Sequence, residues 1–194
     1  MIRWLVLVFV VAACRHAARA ESSIISYVPA AGCRARALPA ERVSDTISVA
    51  AALRDREMAL VYAARHLPGG FTAGPIEMGG RTVRLFLRDS IPAPALIAQL
   101  PTSPGLAHLR PQLAGSIELR ATEWDRAELH DWMHYITTRL EPTLLRGWGI
   151  SLRHRLSLGV SDRGDVPKLQ AQLARLGVPC RLVEITVFGP VHIA

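Results

Sequence analysis

Residues 156–173, LSLGVSDRGDVPKLQAQL, restate residues 83–100, VRLFLRDSIPAPALIAQL, at a constant displacement of 73 positions (158 − 85). Seven of the eighteen pairs are identical: Leu85/Leu158, Asp89/Asp162, Pro94/Pro167, Leu96/Leu169, Ala98/Ala171, Gln99/Gln172 and Leu100/Leu173. Val83/Leu156 and Leu87/Val160 keep apolar character. The alignment needs no gap, and no compositional bias explains it. Equal apolar spacing asks for equal buried faces, so the expectation is one supersecondary unit built twice.

The elements around each copy follow from periodicity and turn residues. In the first, Ser44 and Asp45 can cap a helix whose apolar positions run Ile47, Ala50, Leu53, Leu60, Val61, Ala64 and Leu67, ended by Pro68-Gly69-Gly70. A short strand over 71–78, a turn at Gly79-Gly80 and a strand over 81–88 give a hairpin. A helix over 92–100 and a strand over 116–121 complete the unit. In the second, Asp125 and Glu128 make a D-x-x-E capping pattern for a helix carrying Leu129, Trp132, Met133, Ile136 and Leu140 on one face. Pro142 and Gly147 break it, and 149–152 and 155–160 form the next hairpin. Asp165 is placed to cap a helix with Pro167 in its first turn, stopped by Gly177, before a final strand over 181–188. Helix, hairpin, helix, strand, twice over, predicts an α+β fold with helices on one face of antiparallel or mixed sheets. The units span 44–121 and 122–190, after an irregular arm at 21–43 and before a tail at 191–194.

Residues 1–20 read as an export leader. Arg3 precedes an apolar run of ten, residues 4–13, the length of a signal-peptide core and too short to span a bilayer. Two exits compete. Val11-Ala12-Ala13-Cys14 resembles a bacterial lipobox, which would lipidate Cys14 and make a lipid anchor the chain's one tie to a membrane. Ala18-Arg19-Ala20 is an A-x-A site that would free Glu21. Export then places the body in the periplasm, the cell envelope or the medium. The formal charge of +7 falls to +4 once Arg3, Arg15 and Arg19 are subtracted, and the remaining cations are scattered arginines with a single lysine, Lys168. That pattern argues against a nucleic-acid partner. Half the residues are apolar, enough for one domain or two small ones.

In an oxidising compartment the two cysteines besides Cys14 invite a bridge, Cys33 to Cys180. It would close a very long loop, worth roughly 4 kcal/mol on the chain-entropy account. The alternative is a buried apolar thiol at 180 and a free thiol at 33.

The duplicated order in an exported chain resembles the pro-segments of secreted serine proteases of the alpha-lytic and streptogrisin type. REMALVYAARHLPGGFTAGPIEMGGRTVRLFLRD (56–89), ATEWDRAELHDWMHYITTRL (121–140) and LARLGVPCRLVEITVFGP (173–190) are similar to a group of uncharacterised bacterial secreted proteins. The resemblance implies a fold and protein binding through sheet edges, and it supplies no catalytic residues.

Candidate chemistry is sparse. His130 and His134 stand one helical turn apart, a spacing that can hold zinc, with Asp131 where H-E-x-x-H has Glu and no third ligand in view. The simpler reading of the pair is a solvated helix flank. His66, His108, His154 and His192 have no companion at ligand spacing. No G-x-S-x-G and no phosphate-binding glycine pattern occurs, so the glycine pairs are turn residues. Asp89-Ser90 and Ser161-Asp162 sit at equivalent strand-to-helix corners and read as turns and caps, as does Arg163-Gly164-Asp165. The tail could dock in a protease cleft, or simply fray. The expected function is a non-enzymatic exported protein without a cofactor, binding an envelope or secreted partner. A metal-dependent hydrolase using His130 and His134, or a purely structural lipoprotein, is the alternative. Peptide mapping of the exported protein without reductant should recover Cys33 joined to Cys180, and its first residue should be lipidated Cys14 or free Glu21.

Overall fold

The computed structural model describes residues 23–28, 37–73, 82–89, 93–110 and 116–188. The leader with Cys14, Cys33, the Gly79-Gly80 turn and the tail 191–194 lie outside them. The elements are β1 (Ser23–Ser26), α1 (Val49–Arg54), α2 (Arg56–His66), β2 (Phe71–Ala73), β3 (Thr82–Leu87), α3 (Ala93–Gln99), β4 (Ser116–Ala121), α4 (Arg126–Thr137), β5 (Gly147–Ile150), β6 (Leu156–Val160), α5 (Asp165–Arg175) and β7 (Val183–Val187). The fold is α+β, as expected.

Two sheets form. One has the order β2-β3-β4, the other β1-β7-β6-β5. In each, an antiparallel pair (β2 with β3, β5 with β6) is followed by a helix and a parallel third strand (β4 on β3, β7 on β6). The matched leucines do the same work in both halves. Leu85, Leu96 and Leu100 are buried in one core and Leu158, Leu169 and Leu173 in another. The smaller core lies under β3 and α3, with Phe71 and Leu106. The larger lies between sheet β1-β7-β6-β5 and helices α4 and α5, with Trp124, Trp132 and Ile136.

Three expectations need correction. The helix expected from Ser44 through Leu67 is interrupted. Ser44 lies in a 3-10 turn, Val43–Thr46, Ser48 caps α1 by accepting from the Ala51 amide, and extended Asp55 ends α1 and caps α2 through the Met58 amide. A short side chain that caps its own downstream amides competes with helix continuation, so the apolar period crosses the break. The arm is also not all irregular. Ser23–Ser26 joins the sheet as β1, antiparallel to β7, because Ile25 reaches the core beside Ile185. The D-x-x-E box on α4 forms as read, Asp125 accepting from the Glu128 amide and Glu128 from the Asp125 amide. Asp165 does not cap α5. Asp162 instead accepts from the Gly164 amide at 2.6 Å and sets the turn before the helix.

The sheets do not merge. Helix α2 meets α4 through Val61, Ala64 and Ala127, small enough to let the backbones approach. Polar ties surround that seam. Asp131, fully buried, accepts from the Ser44 amide and hydroxyl, each at 2.7 Å, and lies 3.6 Å from Arg65. Arg126 pairs with Glu57 through two contacts. Arg88, at the end of β3, donates to Asp125 at 2.7 Å and to Glu128 at 3.2 Å. Removing one partner of such a set leaves the others buried and unsatisfied. Asp131→Ala should therefore cost about 3 kcal/mol in urea unfolding. A loss no larger than that of an exposed control such as Thr138→Ala would show that the joint does not need this carboxylate.

Candidate functional site

The β5–β6 hairpin turns through Ser151, Leu152, Arg153 and His154. Ser151 accepts from the His154 amide at 3.0 Å and donates to the Arg155 carbonyl at 2.8 Å. The closure puts His154 in the left-handed region, φ 55°, which few side chains other than Asn, Asp and His adopt readily. The result is directional. Leu152 and Arg153 stay exposed while the His154 ring turns inward, leaving the residue 4% exposed.

The ring comes to rest on Phe86 of β3, centroids 3.9 Å apart and planes tilted by 42°. A side chain of the second half thereby meets a strand of the first. Beside them the chain leaving β4 passes through Ala121, Thr122, Glu123 and Trp124, held by the Thr122 amide on the Leu87 carbonyl at 2.9 Å. Hairpin turn and β4 exit enclose a cleft of about 240 Å³, lined by Phe86, Thr122, Glu123, Trp124 and residues 152–155.

Neither ring nitrogen of His154 meets a hydrogen-bond partner among the described residues. Burial, and then the positive charge of Arg126, push the imidazole down to about 4, so the ring is neutral at neutral pH. A neutral imidazole offers one donor and one acceptor. Arg153 reaches away to Glu184 of β7, 3.5 Å apart, and that carboxylate is itself buried. Arg155 is half-buried at the cleft wall, and Glu123 is exposed at its rim.

A second feature lies at the other end of the same hairpin. β5, Gly147-Trp148-Gly149-Ile150, is the outermost strand of its sheet among the described residues. Ser151 bonds Arg155 inward, so by alternation Gly149 and Gly147 face β6 with their backbone groups, and those of Trp148 and Ile150 point outward. Trp148 is 62% exposed, and the space around Gly147 and Gly149 is open.

The residues singled out from sequence are scattered. His130 is half-buried with its value pushed down, chiefly by burial, while His134 stands 4.0 Å from Glu41 at the surface. Trp132, between them, is in the core. Among the described residues, no three His, Cys, Asp or Glu side chains gather as a metal would require. Cys180 is buried and disulfide-bonded, its partner outside the described residues. Asp89 is exposed and accepts from Arg88, and the corner that follows it, from Ser90 on, lies outside the described residues. Arg163 and Gly164 are exposed at the α5 corner. None of these borders the cleft.

His154 has no companion at ligand spacing, and the arginines on either side of it, Arg153 and Arg155, give no local sign of burial. Its burial comes from the turn's handedness and from Phe86, sixty-eight positions away (154 − 86). Among the described residues, no helix is long and apolar enough to cross a membrane. No protein-family model, curated protein or solved structure matches the chain.

His154 predicts an acid dependence of stability. Its folded value of about 4 lies below the ordinary 6.5, so its contribution is complete above 6.5 and is lost as pH falls towards 4. Asp125, pushed up to about 6 by burial, has the opposite sign: its contribution is present at low pH and is lost as pH rises from 3.8 to about 6. Substitution at 154 leaves Asp125 untouched, so a comparison isolates the histidine. Whatever strain the left-handed turn imposes at every pH, His154→Phe should lose less melting temperature than the natural protein between about pH 7.5 and about pH 4. Parallel pH profiles would mean that the imidazole is not held neutral by the fold.

Proposed function

We propose that this is an exported, non-enzymatic protein of the cell envelope that binds an extended segment of another protein along β5. The single observation that carries the reading is the edge itself. β5 is uncharged, with an exposed Trp148 and two glycines that leave its flank open. Edge strands are ordinarily blunted by charge, and β4 follows that habit by pairing Glu118 with Arg120. An unblunted edge with outward amides suits strand addition: backbone bonds supply affinity, and an aromatic side chain supplies an anchor.

The sequence supports the compartment through its leader, processed at Cys14 or after Ala20. The disulfide at Cys180 fits that compartment, and Cys33 is the proposed partner. β1 leaves β7 where the Tyr27 amide bonds the Val183 carbonyl, only three positions from Cys180 (183 − 180). Cys33 follows Tyr27 closely in the chain, whereas Cys14 precedes the opposite end of β1. The equal strand order of the two halves supports two copies of one unit, and that unit resembles protease pro-segments, which act as chaperones or inhibitors. Under this reading the partner is a co-exported protein, no cofactor is used, and His130 and His134 are a helix flank.

Two substitutions separate backbone pairing from side-chain anchoring. Trp148→Pro removes an outward amide that makes no bond to β6, so the fold should survive. Trp148→Ala removes only the ring. With a photo-crosslinker at Ser151, the natural protein should label one envelope partner, Trp148→Ala should label it less, and Trp148→Pro should not label it. Equal labelling by all three would place the contact elsewhere than β5.

A further inference from the structure

The two faces of the β5–β6 hairpin differ, and the difference bears on what β5 can pair with. Leu156 and Leu158 are buried in the larger core, so Ile150 and Trp148, which pair with them, lie on the helix side of the sheet. Gly149 and Gly147 pair with Ser157 and Gly159 and lie on the opposite side. β7 continues that side with Thr186, whose hydroxyl stands 3.4 Å from that of Ser157. Gly147, Gly149, Ser157 and Gly159 thus form a shelf of small residues that ends at the free edge.

The chain fills one part of this shelf itself. The ring of Phe188 lies across Gly159, so close that a Cβ there would overlap it. At Gly147 and Gly149 nothing lies within 4 Å of where a Cβ would stand, and neither has a positive φ. Crowding within the chain and backbone conformation therefore do not call for glycine at either position, although glycine weakens a strand. An added strand is held by the outward groups of Trp148 and Ile150, which makes its residue opposite Gly149 a non-hydrogen-bonded pair, the closer kind. The side chain of that residue falls on the empty part of the shelf. A ring there covers the bare glycine backbone, as cross-strand aromatics do for glycines at sheet edges. The residues before and after it face the other way, beside Trp148 and Ile150, where β-branched side chains pair well. Charge selects further. From Arg146 to Arg163 the chain carries four arginines and one acid, Asp162, and Glu184 engages one of the four, Arg153. We propose that the segment β5 takes up is acidic and carries a β-branched–aromatic–β-branched triad, its ring seated over Gly149.

This partner chemistry rests on strand addition at β5, and the test separates the two. The full exported protein, labelled with nitrogen-15, is titrated with the capped peptide Glu-Thr-Val-Tyr-Val-Thr-Glu and with its central-alanine counterpart, following the Trp148, Gly149 and Ile150 amides by NMR. The tyrosine peptide should bind about fivefold more tightly than the alanine peptide. Lysine in place of both glutamates should weaken binding about threefold at low salt, a gap that closes at high salt. Gly149→Val fills the shelf and should erase the advantage of tyrosine; if it does not fold, Gly149→Ala should reduce that advantage. Equal binding of the tyrosine and alanine peptides, both lost in Trp148→Pro, overturns the proposed partner and leaves strand addition standing. An advantage of tyrosine that survives in the folded Gly149 variant, or tighter binding of the lysine peptide, overturns it as well. If no peptide shifts these amides, or if the Gly149 and Ile150 shifts persist in Trp148→Pro, strand addition at β5 fails with it.

Discussion

Helix α4 joins the two halves through buried charge. From one helix, Asp125 and Glu128 reach Arg88 of β3, Arg126 reaches Glu57 of α2, and Asp131 takes Ser44 and faces Arg65. The apolar part of the seam is small, just Val61, Ala64 and Ala127 with Ile47 against them. So few methyl groups do not by themselves specify how two sheets sit, because an apolar contact is non-directional and tolerates sliding. Hydrogen bonds to a buried carboxylate do not tolerate it. A displaced partner leaves an unsatisfied charge at a cost of several kcal/mol. The geometry between the halves is therefore set by polar contacts, and the apolar ones allow the helices to come close enough to make them.

The cleft depends on that joint. Phe86 lies two positions before Arg88 on the same strand, and Trp124 immediately precedes Asp125. Holding Arg88 on Asp125 thus also holds both cleft walls in register, and the hairpin turn closes over them when His154 lands on Phe86. Asp125 has its value raised by burial, although the Glu128 amide and Arg88 oppose that rise. The joint and the cleft thus each hold a group whose pH response is opposite to the other's, Asp125 in the joint and His154 in the cleft wall.

The fold was legible where a local rule met a strong period. The capping box on α4 needed only Asp125 and Glu128 three positions apart, and the parallel third strands followed from a helix standing between strand patterns. It was less legible where short polar residues interrupt a period. Asp55 sits within an apolar helical pattern and breaks it by capping the helix beyond, which apolar periodicity does not register. β1 was read as irregular because four residues, SIIS, are too few to show alternation, and their strand state depends on β7 more than one hundred and fifty positions later (183 − 26). The candidate site was illegible in every part. A histidine flanked by arginines looks solvated, and only the left-handed turn reverses its direction.

By itself, the amino-acid sequence determined most of the elements, their order within each half and which leucines of the repeat are buried, since those depend on spacing along the chain; Leu53, on the expected apolar face, is 65% exposed. The 73-residue repeat was enough to place Leu85 and Leu158, or Leu96 and Leu169, in matching core positions. Tertiary structure alone decided that the sheets stay separate, that α4 carries the joint, and that His154 and Phe86 share a wall. The physical reason is the range of the forces. Apolar spacing is satisfied within one unit, whereas burial of Asp131 and His154 is conferred by residues of the other half, whose approach no local pattern encodes.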